Sequence, residues 1–133
     1  MVKAIVVRQT GGPEVLVPGD IEVAAPAAGE VVVAHRAIGV NFIDCYFRSG
    51  LYPAPGGLPF VVEAVGPGVT PVAPGDRVAY VVGPGSYAEK RIVLADRLVK
   101  IPEAIGFETA AAMMLKGMTV QYLLNRTFKV GPG

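Results

Sequence analysis

Most apolar residues in the first hundred positions form short runs or alternate with polar residues, a pattern that predicts short β-strands. The runs are rich in valine and isoleucine and are bounded by glycine, proline and aspartate, which are typical of turns. The longest candidate runs from Glu30 to Val40, where Val31, Val33 and Ala37 share one face. The other strand candidates are residues 3–8, 15–17, 21–23, 61–65, 77–82, 86–93 and 98–102.

Helical spacing of apolar residues appears after the longest strand and again in the last third of the chain. Aromatic and apolar residues within 42–47 recur at helical intervals and predict a short helix or turn, followed by a proline- and glycine-rich loop over 50–57. Residues 108–115 and 118–125 predict two further helices. The Gly-Pro-Gly turn at 83–85 predicts that the strands on either side of it pair as a hairpin.

Length and composition favour one compact domain that covers residues 1–133. Hydrophobic residues make up 52% of the chain and charged residues 17%, which argues against disorder, and 17 glycines with 12 prolines indicate many turns. We therefore expect a mostly β fold, a small barrel with short helices and an α-helical segment at the C-terminus. A net charge of +1 gives no reason to expect nucleic acid or an anionic membrane as partner.

The residue types that support most catalytic and metal sites are scarce. The single cysteine, Cys45, excludes an internal disulfide and a cluster of cysteine ligands, and with no signal peptide predicted it favours a cytoplasmic location. The single histidine, His35, lies in the middle of the predicted Glu30–Val40 strand, where a structural or solvated histidine is favoured over a catalytic base. No G-x-G-x-x-G follows a strand and opens a helix, so no phosphate-binding loop is predicted.

Four segments carry a resemblance to a known family. They are residues 37–53 (AIGVNFIDCYFRSGLYP), 74–78 (PGDRV), 85–89 (GSYAE) and 115–124 (LKGMTVQYLL). In this order they closely resemble the zinc-free quinone oxidoreductases, the zeta-crystallin-like branch of the medium-chain dehydrogenase/reductase family. The resemblance implies a GroES-like β-barrel, the substrate-side domain of a two-domain enzyme that transfers hydride from NADPH to a quinone.

The same resemblance implies that the chain binds no zinc. In the zinc alcohol dehydrogenases of this family, the position matching Asn41 is a cysteine that binds the catalytic metal. The loop that carries four structural cysteines would fall between Val78 and Tyr87, where this chain is short. An asparagine cannot supply a thiolate ligand. A quinone is already electrophilic, so placing it in an apolar cleft beside the cofactor is the catalysis we expect.

The resemblance also implies a set of cofactor-binding residues, without assigning a catalytic acid, a base or a metal ligand. Positions 41–46 would follow the nicotinamide half of the cofactor, Tyr52 would flank the nicotinamide–quinone pocket, and Thr119 and Tyr122 would line its floor. The full set is Asn41, Phe42, Ile43, Asp44, Tyr46, Tyr52, Thr119 and Tyr122.

Each of these residues also has a purely structural interpretation. Asn41 is suited to capping a helix, and the hydroxyl of Thr119 can bond back to a carbonyl of its own helix. Phe42 and Ile43 are as well suited to a core as to a cofactor wall. The tyrosines can be half-buried for packing alone, and Cys45 is suited to packing as well.

Two departures from the family pattern leave two hypotheses open. The glycine-rich nucleotide-binding (Rossmann) half is not represented, and a short internal segment with a Pro-Gly-x-Glu-Gly-Ala-Gly-like sequence is missing after Phe60. The first hypothesis is the substrate-side domain of an NADPH:quinone oxidoreductase, inactive when isolated. The second is a barrel that serves only as a folding scaffold or self-associating module, forming homo-oligomers through an exposed apolar surface. Binding of NADPH favours the first hypothesis, and tight self-association without nucleotide binding favours the second.

Overall fold

The structure is a computed structural model that describes residues 1–53, 65–66, 68, 70, 72–81, 83–128 and 130–131. Its strands are β1 (Val2–Val6), β2 (Val17–Ile21), β3 (Ala27–Ala28), β4 (Glu30–Ala34), β5 (Val65–Gly66), β6 (Val78–Ala79), β7 (Lys90–Leu94) and β8 (Val99–Lys100). Its α-helices are α1 (Phe42–Ser49) and α2 (Phe107–Tyr122). Short 3₁₀ turns lie at Pro13–Val15 and Ala95–Arg97, and a π-helical turn at Leu123–Thr127 follows α2.

The strands pair as four two-stranded ladders. β1 with β2, β4 with β7 and β6 with β8 are antiparallel, whereas β3 with β5 is parallel. Backbone hydrogen bonds outside the ladders join β1 to the segment before β7, from Ile5 N–H to the Tyr87 carbonyl (2.7 Å) and from Glu89 N–H to the Lys3 carbonyl (2.9 Å). Within the described residues, the ladders approach one another without forming a closed barrel.

The core is centred on the β4–β7 ladder. Val33 of β4 is buried, and three successive β7 residues, Arg91, Ile92 and Val93, are buried although they point alternately to the two faces of the strand. Ile92 is the most enclosed, with 1% of its surface exposed. β7 is therefore covered on both faces, which explains why its sequence shows little alternation of polar residues.

The predicted Glu30–Val40 strand is wrong in its second half. β4 ends at Ala34, which pairs with Lys90, the first residue of β7. Beyond this point the partner strand offers no further ladder, although His35 N–H still donates to the Glu89 carbonyl (2.9 Å). The chain then crosses to α2, where Gly39 lies against the Ala111 carbonyl.

The predicted hairpin across 83–85 is also wrong. β6 pairs with β8, and β7 pairs with β4 over five residues. β4 supplies five residues for the ladder with β7, including the valine run 31–33, whereas β6 is only two residues long. The Gly-Pro-Gly segment is a connection between ladders rather than a hairpin turn.

Of the remaining predicted elements, some are confirmed and others are wrong. The short helix over 42–47 is confirmed as α1, but the two predicted C-terminal helices are one helix, α2, because Gly117 does not interrupt it. The predicted 15–17 and 21–23 strands are replaced by a 3₁₀ turn followed by β2. Of the predicted 61–65 strand only Val65 lies within the described residues. No helix in the described part of the chain is long and apolar enough to cross a membrane.

Two glycines on facing elements provide a matched test of how α2 packs. A β-carbon added to Gly39 would lie 2.4 Å from the backbone oxygen of Ala111, so Gly39→Ala forces the crossing segment away from α2. We expect a loss of at least ~2 kcal/mol in the free energy of unfolding, within the range of overpacking effects. A β-carbon at Gly117 meets nothing closer than the Met113 methyl carbon at 3.9 Å, so Gly117→Ala should stabilise by up to about 1 kcal/mol.

Urea unfolding curves of both variants measure this difference. Equal changes for the two glycine substitutions would contradict the close contact between Gly39 and α2.

Candidate functional site

The site is built around the first turn of α1. Asn41 is the N-cap residue and has extended backbone angles, φ −134° and ψ 151°. Asp44, at the third helical position, accepts a hydrogen bond from Asn41 N–H at 2.8 Å, so the helix start is closed by its own carboxylate. At the other end Gly50 adopts φ +81°, a left-handed conformation that glycine accepts without strain, and ends the helix. The local sequence thus fixes both ends of α1.

Asp44 also fixes α1 to the sheet. The Tyr87 hydroxyl donates to the same Asp44 oxygen at 2.7 Å, and Tyr87 is joined through its backbone carbonyl to Ile5 in β1. Burial, together with the hydrogen bond to Asp44, raises the pKa of Tyr87, so the hydroxyl keeps its proton and remains a donor at neutral pH. A single carboxylate oxygen therefore accepts both from the helix start and from the strand segment.

The Asn41 side chain connects α1 to α2. Its amide nitrogen donates to the Gly39 carbonyl (3.3 Å), and its Oδ1 accepts from the Lys116 ammonium (3.2 Å). Because the backbone N–H of Asn41 is already held by Asp44, the carboxamide has little freedom to turn. The result is a fixed polar group where the crossing segment, α1 and α2 meet.

A large, mostly apolar cavity lies beside this polar group. Its volume is about 1900 Å³, larger than the ~300–1,000 Å³ typical of small-molecule sites. Asn41 at the cap of α1, Ile43 and Asp44 of α1, and Met114 and Leu115 of α2 are among the residues that line it. The cavity is therefore large enough for a flat aromatic ring system and presents fixed polar groups along one wall.

Another part of the cavity lining belongs to a chain of hydrogen-bonded polar side chains, formed by His35, Tyr80, Ser86 and Arg91 and called here the polar chain. Arg91 donates from one nitrogen to Ser86 Oγ (3.1 Å), Ser86 lies 3.4 Å from the Tyr80 hydroxyl, and that hydroxyl lies 2.5 Å from His35 Nε2. His35 Nδ1 lies 2.5 Å from the Ala88 carbonyl. His35, Tyr80 and Ser86 line the cavity, and Arg91, 7% exposed, lies behind them.

His35 is neutral in this arrangement. Burial lowers the pKa of His35 and the positive charge of Arg91 lowers it further, against the opposing effect of the Ala88 hydrogen bond. The favoured interpretation of His35 as a structural histidine agrees with its two hydrogen bonds. Its position on a cavity wall was not predicted, and neither were Tyr80 and Ser86.

The eight residues implied by the resemblance divide into two groups. Asn41, Ile43 and Asp44 line the cavity, whereas the others lie outside its lining. Phe42 is 82% exposed on the outer face of α1. The group outside the lining is Phe42, Tyr46, Tyr52, Thr119 and Tyr122.

Within this second group, two structural interpretations match observed contacts. Tyr46 and Tyr52 pack edge to face with ring centres 5.5 Å apart. The Thr119 hydroxyl donates to the Leu115 carbonyl of its own helix (2.9 Å). Among the described residues, no three histidine, cysteine, aspartate or glutamate side chains come together as a group able to hold a metal ion.

Comparison with known proteins identifies the family. The model of the alcohol dehydrogenase GroES-like domain matches residues 27–103, more than half of the chain. The chain belongs to this family. The matched region contains β3 to β8 and α1, whereas β1 and α2, which also contribute residues to the cavity lining, lie outside it.

The relatives of this GroES-like domain include quinone oxidoreductases of the medium-chain dehydrogenase/reductase family. The chain is 51% identical to a quinone oxidoreductase of Pseudomonas aeruginosa over all of its own length and 43% of the relative's. It is 42% identical to a 2-haloacrylate reductase of a Burkholderia species, with 44% of that protein covered. The chain therefore spans less than half the length of the curated relatives it matches.

Solved structures agree with the fold. A Pseudomonas syringae quinone oxidoreductase superposes with a TM-score of 0.92 at 51% identity, over all of this chain and 43% of that one. The Escherichia coli quinone oxidoreductase, complexed with NADPH, superposes with a TM-score of 0.87 at 42% identity, over 98% of this chain and 42% of that one. The predicted GroES-like fold is thus confirmed.

The alignment lengths also agree with an internal deletion. The match to the P. aeruginosa protein spans 142 positions, whereas the chain has 133 residues, so at least nine positions of that relative have no counterpart here. Because the match includes the whole chain, these positions are internal. The predicted place of the missing segment, after Phe60, lies outside the described residues.

The burial of His35 predicts a pH dependence of stability. Because the pKa of His35 is lowered from 6.5 in the folded state, the unfolded chain takes up a proton first as the pH falls. The stabilisation is complete above pH 6.5 and is lost below it as the pH falls through the folded value. Between the two values we expect the free energy of unfolding to fall by up to about 1.4 kcal/mol per pH unit.

Urea unfolding at several pH values between about 7.5 and 5 measures this slope, above the range where most carboxylates titrate. His35→Asn should be less stable at high pH and should lack the His35 part of the slope. A slope unchanged by the substitution would contradict the buried, neutral state of His35.

Proposed function

We propose that this chain is the substrate-side domain of a zinc-free oxidoreductase that transfers hydride from NADPH to a quinone. The observation that carries the proposal is the apolar cavity beside α1, in a chain whose relatives include quinone oxidoreductases. A quinone is flat, apolar over its ring and polar only at its oxygens, which suits an apolar cavity with a few fixed polar groups on its walls. Its electrophilic ring needs little activation, so orientation and exclusion of water are the main contributions of these residues.

The residues present fit one end of NADPH. Asn41 presents a fixed carboxamide beside the apolar side chain of Ile43, a combination suited to the amide and ring of a nicotinamide. The 133 residues contain no G-x-G-x-x-G turn for the phosphates. NADPH supplies the hydride when bound. Within this chain we propose that Asn41 and Ile43 orient the nicotinamide, with Phe42, Asp44, Tyr46, Tyr52, Thr119 and Tyr122 as the further proposed contacts.

We further propose that the isolated chain does not turn over. Without a phosphate-binding turn, the nicotinamide end alone binds weakly, because most of the contact surface of a dinucleotide is left unused. We place the chain in the cytoplasm, since its lone cysteine is free. In the complete protein, we expect the four ladders to belong to one barrel.

A second candidate function rests on the exposed apolar side chains of α2 and the turn after it. Six large apolar residues in this segment are between 46% and 56% exposed, and they lie on more than one side of the helix. They are Met113, Met118, Val120, Tyr122, Leu123 and Leu124. This apolar exposure favours a homo-oligomer and, without nucleotide binding, a self-associating module. Sedimentation velocity with and without NADPH distinguishes the two candidates, since the first requires nucleotide binding and the second does not.

Quinone binding to the chain is the experiment that tests the first proposal. Tetramethyl-1,4-benzoquinone (duroquinone) is a suitable probe, because its ring has no unsubstituted carbon to which Cys45 could add. Ile43→Asn places an amide in the apolar wall and should weaken duroquinone binding about tenfold, since an unpaired polar group in an apolar site costs about 1–3 kcal/mol. Val99→Asn is the matched control, because Val99 is 56% exposed and lies outside the cavity lining.

Chemical-shift titration of the chain with duroquinone gives the dissociation constants. Equal affinities for the wild type and Ile43→Asn, or no binding to the wild type, would contradict the proposed site.

A further inference from the structure

The polar chain has a single consistent arrangement of hydrogens. The Arg91 guanidinium only donates hydrogen bonds, and the Ala88 carbonyl only accepts them. His35 must therefore carry its hydrogen on Nδ1 to donate to Ala88, which leaves Nε2 as an acceptor. The Tyr80 hydroxyl donates to Nε2, and the hydrogen of Ser86 points towards Tyr80.

In this arrangement the Tyr80 hydroxyl is able to accept from a ligand and unable to donate to one. Its single hydrogen is used by His35, while its oxygen has only a weak donor in Ser86 at 3.4 Å, beyond the ~2.7–2.8 Å usual for two hydroxyls. Both Tyr80 and His35 line the cavity. A ligand with a hydroxyl can donate to Tyr80 there. The carbonyl oxygen of a ligand would face the Tyr80 oxygen, which is also an acceptor, and would receive no hydrogen bond from it.

Protonation of His35 reverses the direction of the hydrogen bond between His35 and Tyr80. With hydrogens on both ring nitrogens, His35 donates to Tyr80, and the Tyr80 hydrogen is released to point into the cavity. A carbonyl ligand then finds a donor. The state of one imidazole thus decides whether the wall of the cavity accepts from a hydroxyl or donates to a carbonyl.

We propose that His35 and Tyr80 form a proton relay that delivers a proton to an oxygen of a quinone reduced in this cavity. The inference rests on the function proposed above, and it adds a catalytic residue, Tyr80, and a residue that acts through it, His35, to a site for which the resemblance implied no acid or base. The hydrogen-bond directions inferred above correspond to the relay after it has delivered its proton.

The step balances as follows. The quinone gains a hydride, that is two electrons and one hydrogen nucleus, from the reduced nicotinamide and becomes a hydroquinone monoanion. The O–H bond of Tyr80 breaks as its proton passes to the anionic oxygen, and the Nε2–H bond of His35 breaks as its proton passes to Tyr80. The products are oxidised nicotinamide, neutral hydroquinone and neutral His35. His35 then takes up a proton from the solvent, so one solvent proton is consumed for each hydride transferred.

The groups around His35 explain why its proton is easily released. Arg91 of β7 and Tyr80, in the segment after β6, are the titratable side chains brought to the ring, and no carboxylate among the described residues offsets the imidazolium charge. Burial disfavours the charged ring as well. A bound quinone that needs a donor is therefore the group that stabilises protonated His35.

The test is a nuclear magnetic resonance titration of His35 with the two redox forms of one molecule. His35 is the single histidine of the chain, so its imidazole C–H resonance reports its pKa without interference from another histidine. Duroquinone carries acceptors only, and durohydroquinone, kept under argon, has the same carbon skeleton with two donors. Both forms remove water from around the imidazole to the same extent. The difference between their effects on the pKa of His35 therefore reports the hydrogen bond that each form makes with Tyr80.

We expect saturating duroquinone to raise the pKa of His35 by about one unit relative to durohydroquinone, which corresponds to a tenfold preference for the protonated ring. Saturable binding of both forms with the same pKa for His35 would overturn the relay and leave the proposed quinone site standing. Absence of binding by either form would overturn the proposed site and the relay together.

Tyr80→Phe provides a second measurement. It keeps the ring that lies 5.7 Å from the Arg91 guanidinium and removes only the hydroxyl. We expect this variant to bind both forms and to show no difference in the pKa of His35 between them. A difference that persists in Tyr80→Phe would show that the effect does not pass through Tyr80, and it would overturn the relay.

Discussion

The Asp44 carboxylate is the interaction on which the geometry of the site depends. One of its oxygens accepts from the Asn41 N–H at the start of α1 and from the Tyr87 hydroxyl beside β1. Charge-assisted hydrogen bonds of this kind are stronger than neutral ones, and here two of them converge on one atom. Without this carboxylate the helix start loses its cap and the contact that ties it to the sheet. Asp44 therefore has a role in building the site in addition to the cofactor contact proposed for it.

The contact between α1 and α2 depends on the same carboxylate. Asp44 holds the backbone of Asn41, which lets the Asn41 carboxamide bridge the Gly39 carbonyl and the Lys116 ammonium. Gly39 allows the crossing segment to lie against the backbone of α2, where any side chain would collide. The wall of the cavity formed by α1 and α2 is thus set by a few short-range constraints rather than by a large apolar interface. Many large apolar side chains of α2 remain exposed as a result.

Local elements could be predicted from the sequence more accurately than the pairing of the strands. The helix at α1 and the GroES-like family follow from residues 37–53, where spacing and motif coincide. The partners of β6 and β7 do not follow, because alternation identifies a strand without identifying the strand that pairs with it. The polar chain was missed for a similar reason. His35 lies 45 residues before Tyr80, and the pairing of β4 with the later part of the chain brings the two side chains together.

A double-mutant cycle between Asp44 and Tyr87 tests the central claim most directly. The free energy of unfolding is measured for the wild type, Asp44→Ala, Tyr87→Phe and the double variant. If the carboxylate joins the start of α1 to the sheet, the two substitutions are coupled by about 1.5–3 kcal/mol, the range for hydrogen bonds to charged groups. Effects that add to within about 0.5 kcal/mol would show that the two side chains act independently, and they would contradict this account of the site.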